Sequence, residues 1–339
     1  MDTSPINHLL NESGPILRWL TASQLKVEDH SQNRQALLAD LLVCEEVHHW
    51  LGLLGSGPVH HSMDASLENV LAKLAEYGFR AGMADLDEHV SPYFAIADGE
   101  AYHAEALILV PFLVRLGYFA EPRVAYWIAQ RIDLLYELAR RQDYDFFMSA
   151  TERQRLPPSQ HSMHSDTKLF YRPHFNSHWG YLGLPTCYDL YLMAYLPKDD
   201  PLTQQKVEQI VLYLLDPRFQ EISDGYIWNA HLHRPYAAGR VFLACLPGDN
   251  LPEKLVLFLE LMAHFASGRK SAWFSQGLAH LETFRTERGT YCFPPRYLSE
   301  KQGYYLYGGM HMGLGEMPRN RHALELESTF RMLRLKASP

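Results

Sequence analysis

The stretch YHAEALILVPFLVRLGYFAEPRVAYWIAQRIDLLYELARR, residues 102–141, carries two helical patterns joined by a short turn. In the first half Ala106, Leu109, Leu113 and Leu116 recur at helical spacing. In the second half Val124, Trp127, Ile128, Leu134, Leu135 and Leu138 form one apolar face on an otherwise polar pattern. Gly117 suits the left-handed residue that closes a helix. Pro122 suits the first helical position, where no N–H is needed. The stretch therefore predicts a helical hairpin, with a short apolar arm and a longer amphipathic one.

The same joint recurs at unequal intervals, in LGSGP (54–58), LGYFAEP (116–122), LPKDDP (196–201) and LPGDNLP (246–252). Apolar helices are expected before each joint, over 37–54, 102–116, 186–196 and 236–246. Longer, more polar helices are expected after it, over 62–77, 122–141, 202–215 and 253–283. A last apolar segment, 322–336, has no successor. Strand-like alternation is scarce, so the fold class is all-α. Short buried helices alternating with longer outer ones predict two concentric rings, an α/α toroid of about four to five hairpins in one domain. Residues 1–36 form an N-terminal helical extension in this reading, and 142–185 a long irregular, lid-like insertion.

Composition narrows the function classes. Of 339 residues 47% are hydrophobic and 21% charged, which allows a sizeable core. The formal charge of −8, with no run of Lys or Arg, argues against a nucleic-acid partner. Cys44, Cys187, Cys245 and Cys292 are far apart and form no CxxC, which suits reduced thiols in a cytoplasmic protein. No secretory signal pattern and no apolar stretch of about 18 residues is present, so no membrane span is expected.

Gln220, Gly225 and Trp228, ahead of an expected inner helix, resemble a loose copy of the Gln–Gly–Trp repeat of squalene/hopene cyclases. Gly289 with Phe293 resembles a further copy. The hairpin organisation over roughly 37–336 is similar to the terpenoid-cyclase and protein-prenyltransferase α/α-toroid superfamily. The resemblance implies a single toroid with a central cavity. It also draws attention to GMADLDEHVSPYF (82–94), where Asp85, Asp87 and Glu88 approximate the D-x-D-D motif of class II terpene cyclases, with Glu in place of the last Asp. The likeness makes Asp87 the matching proton donor, which would require a carboxylic acid held in an apolar cavity. The bland reading is an acidic helix start.

Charged residues inside apolar helices must be paired or face a cavity. Glu105, Asp189, Arg240, Glu325 and Glu327 qualify, and with Tyr188, Tyr236, Trp228 and His103 they form the expected polar and aromatic lining of the toroid mouth. The catalytic candidates are Asp85, Asp87, Glu88, Glu105 and Asp189. The ligand-binding candidates are Tyr188, Trp228, Tyr236, Arg240, His311 and Glu325. His311 lies in the glycine-rich YGGMHMGLGE (307–316), which lacks GK[ST] and reads as a tight crossing rather than a phosphate loop.

Among 18 histidines the suggestive groups are His48–His49, His60–His61, His161/His164, His174/His178 and His231/His233. No HExxH pattern occurs. The Cys–His pair of the lanthionine cyclases is missing, and the D-x-C of the prenyltransferases appears only reversed, as Cys187–Tyr188–Asp189. No metal and no cofactor is therefore expected. The partner expected is a small molecule in the central cavity. The leading function is an enzyme acting by acid/base chemistry on a small apolar or isoprenoid-type ligand, with aromatic rings sheltering positive charge. A non-catalytic binding or scaffold protein is one alternative. A saccharide hydrolase or lyase with paired carboxylates is another.

Overall fold

Helical spacing is realised along most of the chain in the computed structural model, which describes residues 3–25, 34–98, 103–154, 169–170, 183–229, 236–248 and 251–337. The helices are α1 (Thr3–Glu12), α2 (Pro15–Gln24), α3 (Arg34–Leu42), α4 (Glu45–Gly52), α5 (Leu67–Glu76) and α6 (Leu86–Val90). They continue with α7 (His103–Arg115), α8 (Pro122–Arg141), α9 (Ala150–Gln154), α10 (Cys187–Tyr195), α11 (Pro201–Leu214) and α12 (Pro217–Gln220). The last are α13 (Pro252–Met262), α14 (Ala266–Lys270), α15 (Ala272–Glu282), α16 (Tyr305–Gly308) and α17 (Arg321–Ala337). A small sheet accompanies them. In it β1 (Leu169–Phe170) runs parallel to β2 (Gly225–Asn229), which pairs antiparallel with β3 (Tyr236–Val241).

The joints work as their chemistry dictates. Gly117 takes a left-handed φ of 98° beyond α7. Pro122 opens α8 behind Glu121, whose carboxylate accepts the N–H groups of Arg123 (2.9 Å) and Val124 (3.0 Å). Pro201 opens α11 behind Asp200, which caps Leu202 and Thr203 in the same way. Thr186 and Asp189 form a reciprocal capping box at the start of α10.

Five helices form the interior. α5 is buried at every position, and α7, α10, α13 and α17 are largely buried. α7 packs between α5 and α10, α10 touches α13, and α13 touches α17, while α8 and α11 lie outside against each other. The C-terminal turns of the five meet in a polar cluster. Arg115 Nη1 donates to Glu76 Oε1 (2.6 Å) and lies equally close to the Tyr191 hydroxyl. Tyr305 OH also donates to Glu76. Arg331 grips both oxygens of Glu260 (3.0 and 2.9 Å) and comes within 3.5 Å of Glu76, so α17 reaches back to α5. Burial alone would raise the Glu76 carboxyl, but Arg115, Arg331 and Arg334 overcome it and hold that group well below the carboxylate range.

Several expected elements change place. The segment 62–77 was expected outside, yet α5 is an inner helix. Its charges are paired rather than solvated, and Lys73 Nζ bonds Glu300 (3.0 Å) and the carbonyls of His311 (3.1 Å) and Gly313 (2.7 Å). The expected inner helix 236–246 is strand β3 followed by loop. Gly239 is a poor helix residue, and the backbone of this stretch pairs with β2 instead. The expected helix 253–283 is three helices, of which the first, α13, is buried and the last restarts at Ser271, whose hydroxyl caps Phe274 (3.1 Å). The expected helix 37–54 breaks at Val43–Cys44, where Val43 is exposed. Much of the proposed lid, 155–168 and 171–182, lies outside the described residues.

Two consequences are measurable. Arg131 clamps Asp189 through two bonds of 2.7 Å and binds Leu184 O, tying outer α8 to the start of α10. Arg131→Met leaves a buried carboxylate unpaired and should cost about 3–5 kcal/mol in urea unfolding at pH 7; a loss below about 1 kcal/mol would contradict this role. His264 is held down to about 3, by burial first and then by Lys198, Arg115 and Arg334. Its folded value lies below its unfolded one, so its contribution to stability is complete above about pH 6.5. That contribution is lost as pH falls toward 3, at up to about 1.4 kcal/mol per pH unit. Urea midpoints of His264→Phe should therefore fall less steeply than wild type between about pH 6.5 and 4.

Candidate functional site

The opposite, N-terminal ends of the inner helices hold groups of a different kind. Glu68 is the second residue of α5. The chain before that helix folds back so that Pro58 O and Val59 O accept the N–H groups of Leu67 (2.9 Å) and Glu68 (3.2 Å). This pins His60 beside the Glu68 carboxylate, with Nδ1 2.8 Å from Oε1. The second oxygen, Oε2, accepts the Tyr188 hydroxyl at 2.7 Å. Tyr188 OH also lies 3.5 Å from His60 Nδ1. Tyr304 packs on the imidazole, with centroids 4.7 Å apart and planes tilted by 32°. The Glu68 side chain is 2% exposed and that of His60 33%, so a buried carboxylate orients an imidazole that meets solvent. Burial, and then the Glu68 charge, push the Tyr188 phenol well above its usual value, so it stays protonated as a donor.

Beside this triad, the β2–β3 hairpin delivers a second group. Cys187 N donates to Phe242 O (3.0 Å), which sets Phe242 over α10. Phe242 stacks on Tyr307 at 3.7 Å. Lys254 Nζ sits 4.2 Å from the Tyr307 ring centroid and Arg240 5.6 Å from it, while Arg240 pairs with Asp224 at 3.5 Å. Burial lowers Lys254 and raises the Cys187 thiol above the ordinary thiol range, which makes Cys187 a poor nucleophile.

The sequence candidates are scattered. Asp85, Asp87 and Glu88 are exposed at the C-terminal end of α5 and α7, away from the triad. Asp87 Oδ1 accepts Tyr118 OH (2.6 Å) and Gly82 N (2.9 Å), and those two bonds, in that order, lower its carboxyl. The apolar cavity demanded of a proton donor is not what surrounds it. Asp189 is committed to Arg131 and to its capping box. Glu105 is half-buried in the first turn of α7. His311 is not turned to a mouth: it is 2% exposed, edge-on to Trp50 at 5.5 Å, with Nε2 3.3 Å from Gly303 O. The tight crossing around it is real, since a Cβ on Gly309 would meet Glu253 O at 1.9 Å. Glu327 is buried against Leu314 N (2.8 Å) and Arg319. Glu325 accepts from Thr290 (2.5 Å) in a separate cleft. Trp228 and Tyr236 lie in β2 and β3, and their side chains are outside the described residues, as are those of His103 and of the His161, His164, His174, His178, His231 and His233 groups. Tyr188, bonded to Glu68, and Arg240, beside the Tyr307 ring, are therefore the candidates that join these groups.

Sequence reasoning missed Glu68 and Tyr304 and saw His60 only as half of a histidine pair. LENVLAKLAE gives no warning: at helical spacing Glu68, Asn69, Lys73 and Glu76 share one face, as in a solvated amphipathic helix. No protein-family model, curated protein or solved structure matches the chain. Among the described residues no group of three or more His, Cys, Asp or Glu side chains is arranged to hold a metal ion. Among them, too, no helix is long and apolar enough to cross a membrane.

Tyr188→Phe removes one of the contacts to a buried carboxylate and should cost about 1–3 kcal/mol in urea unfolding. A smaller change would mean that Glu68 finds a replacement donor.

Proposed function

We propose that the chain is an α/α toroid of about four to five hairpins and an enzyme whose mouth, at the N-terminal ends of the inner helices, works by acid/base chemistry on a small molecule. The toroid reading is supported by the order of contacts, in which consecutive buried helices are neighbours and α17 returns to α5 through Arg331 and Glu76. It agrees with the resemblance to the terpenoid-cyclase and prenyltransferase superfamily. One observation carries the catalytic reading: Glu68 is buried between His60 and Tyr188, so that one carboxylate orients both a base and a hydroxyl donor. His60 is the general base, Glu68 its positioning residue, and Tyr188 a protonated phenol whose bond holds the Glu68 carboxylate in place. The aromatic walls, Tyr304 with Phe242 and Tyr307, suit an apolar substrate body. Proton donation by Asp87 is set aside because that residue is exposed.

A binding or scaffold role is the second reading. The full pairing of Glu76, Asp189, Glu260 and Glu327 with arginines favours it, since such charges need no ligand.

Native mass spectrometry of the purified protein tests whether the group around Glu68 holds a small molecule, which a pure scaffold would not. A small-molecule adduct is expected on wild type and on Asp87→Asn, and its occupancy should fall at least about tenfold in His60→Asn and Glu68→Gln. No adduct on wild type, or one indifferent to His60 and Glu68, would overturn the enzymatic reading.

A further inference from the structure

A second cleft, of about 1110 Å³, opens between the end of α15 and the start of α17. Its wall carries Arg285, Arg288, Arg319 and Arg321 against the carboxylates Glu287 and Glu325. In a chain of net charge −8 this local excess of guanidinium is no by-product of general basicity. Arg319 is already committed, to Glu327 and to Leu298 O (2.8 Å). Glu325 is likewise engaged, accepting the Thr290 hydroxyl (2.5 Å), which itself meets Thr286 Oγ1 at 2.6 Å. Arg285, Arg288 and Arg321 are exposed, and no ion pair to an acid holds any of them among the described residues. These three guanidiniums line one opening, where the exposed Glu287 is the remaining acid, so positive charge is in excess.

Two further features bear on the occupant. The first turn of the 17-residue α17 lines the cleft, capped by Asn320 Oδ1 on Ala323 N (3.1 Å), so the positive end of a long helix faces the same space. Phe284, partly exposed and backed by the buried Phe293 in edge contact at 5.9 Å, provides an apolar surface beside it. Guanidinium forks and helix N-termini match the several oxygens of a phosphate better than a single carboxylate. We propose that this cleft binds a phosphate-bearing small molecule of nucleotide size, with the phosphates on Arg285, Arg288 and Arg321 and a flat ring on Phe284. The cleft shares no residue with the mouth around Glu68, so the inference stands apart from the proposed catalysis.

Isothermal titration in magnesium-free, low-salt buffer tests it with three probes: ADP, inorganic pyrophosphate and adenosine. ADP and pyrophosphate should both bind, and adenosine should bind at least about tenfold more weakly than ADP. The double substitution Arg285→Ala with Arg321→Ala, at two exposed positions, should weaken ADP and pyrophosphate at least about tenfold while leaving the thermal midpoint unchanged. The inference is overturned if neither phosphate probe binds at millimolar concentration. It is overturned equally if adenosine matches ADP, or if the double variant binds like wild type.

Discussion

The Glu76 carboxylate is the constraint on which the interior depends. A lone carboxylate at that depth would be prohibitively costly, and a lone guanidinium equally so. The inner helices each end near this point, and their C-terminal carbonyl ends favour cations. Arg115, Arg331 and Arg334 answer that field, and Glu76 with Glu260 keeps the three guanidiniums from repelling one another. The partners come from four helices, α5, α7, α13 and α17, so the cluster is satisfied only when these helices are in register. Apolar packing among Leu, Val and Phe tolerates small slips. A network of fixed lengths and directions does not.

Helix α5 carries two buried carboxylates, Glu68 and Glu76, about 12 Å apart along its axis. They differ in the company they keep. Glu76 is surrounded by guanidiniums, which hold their protons at every relevant pH, so its own protonation cannot change without breaking the core. Glu68 meets an imidazole, a group whose proton can be passed on, and a phenol that keeps its own. Lys73, between the two, is closed off by Glu300 and two carbonyls beneath the Trp50 and Tyr77 rings. The same helix thus provides a rigid end and a chemically adaptable end, and the rigid one holds the other in place.

The sequence shows the hairpins plainly because their joints are local. Gly117, Pro122, Pro201 and Pro252 act through their own backbone preferences, and α8 spans the expected 122–141. What it hides is whatever depends on a distant partner. Helix α5 reads as polar because Glu68, Lys73 and Glu76 look solvated, whereas their partners lie at residues 188, 300 and 115. Residues 236–241 read as helix because their strand partner, 225–229, is set by pairing rather than by a strong local preference. The site suffered in the same way. Tyr188 and Arg240 stand out as polar groups in apolar surroundings, but nothing near His60 in the chain announces that Glu68 and Tyr304 will enclose it.

The contrast between Asp87 and Glu68 shows why acidic residues at a suggestive spacing do not make an acid. Asp87 receives hydrogen bonds from Tyr118 and Gly82, and both favour its charged form. At neutral pH it is therefore an acceptor, with no proton to give. A donor needs the reverse environment, one that penalises charge and supplies no cation. Around Glu68 the neighbouring Tyr188 phenol is itself pushed upward and keeps its proton, while His60 keeps one edge in solvent. A proton entering from a ligand at His60 has a carboxylate behind it to balance the new charge. The phenol spends its one proton on that carboxylate and so keeps it in place. That complementarity, rather than the number of carboxylates, separates the surroundings of Glu68 from those of Asp87.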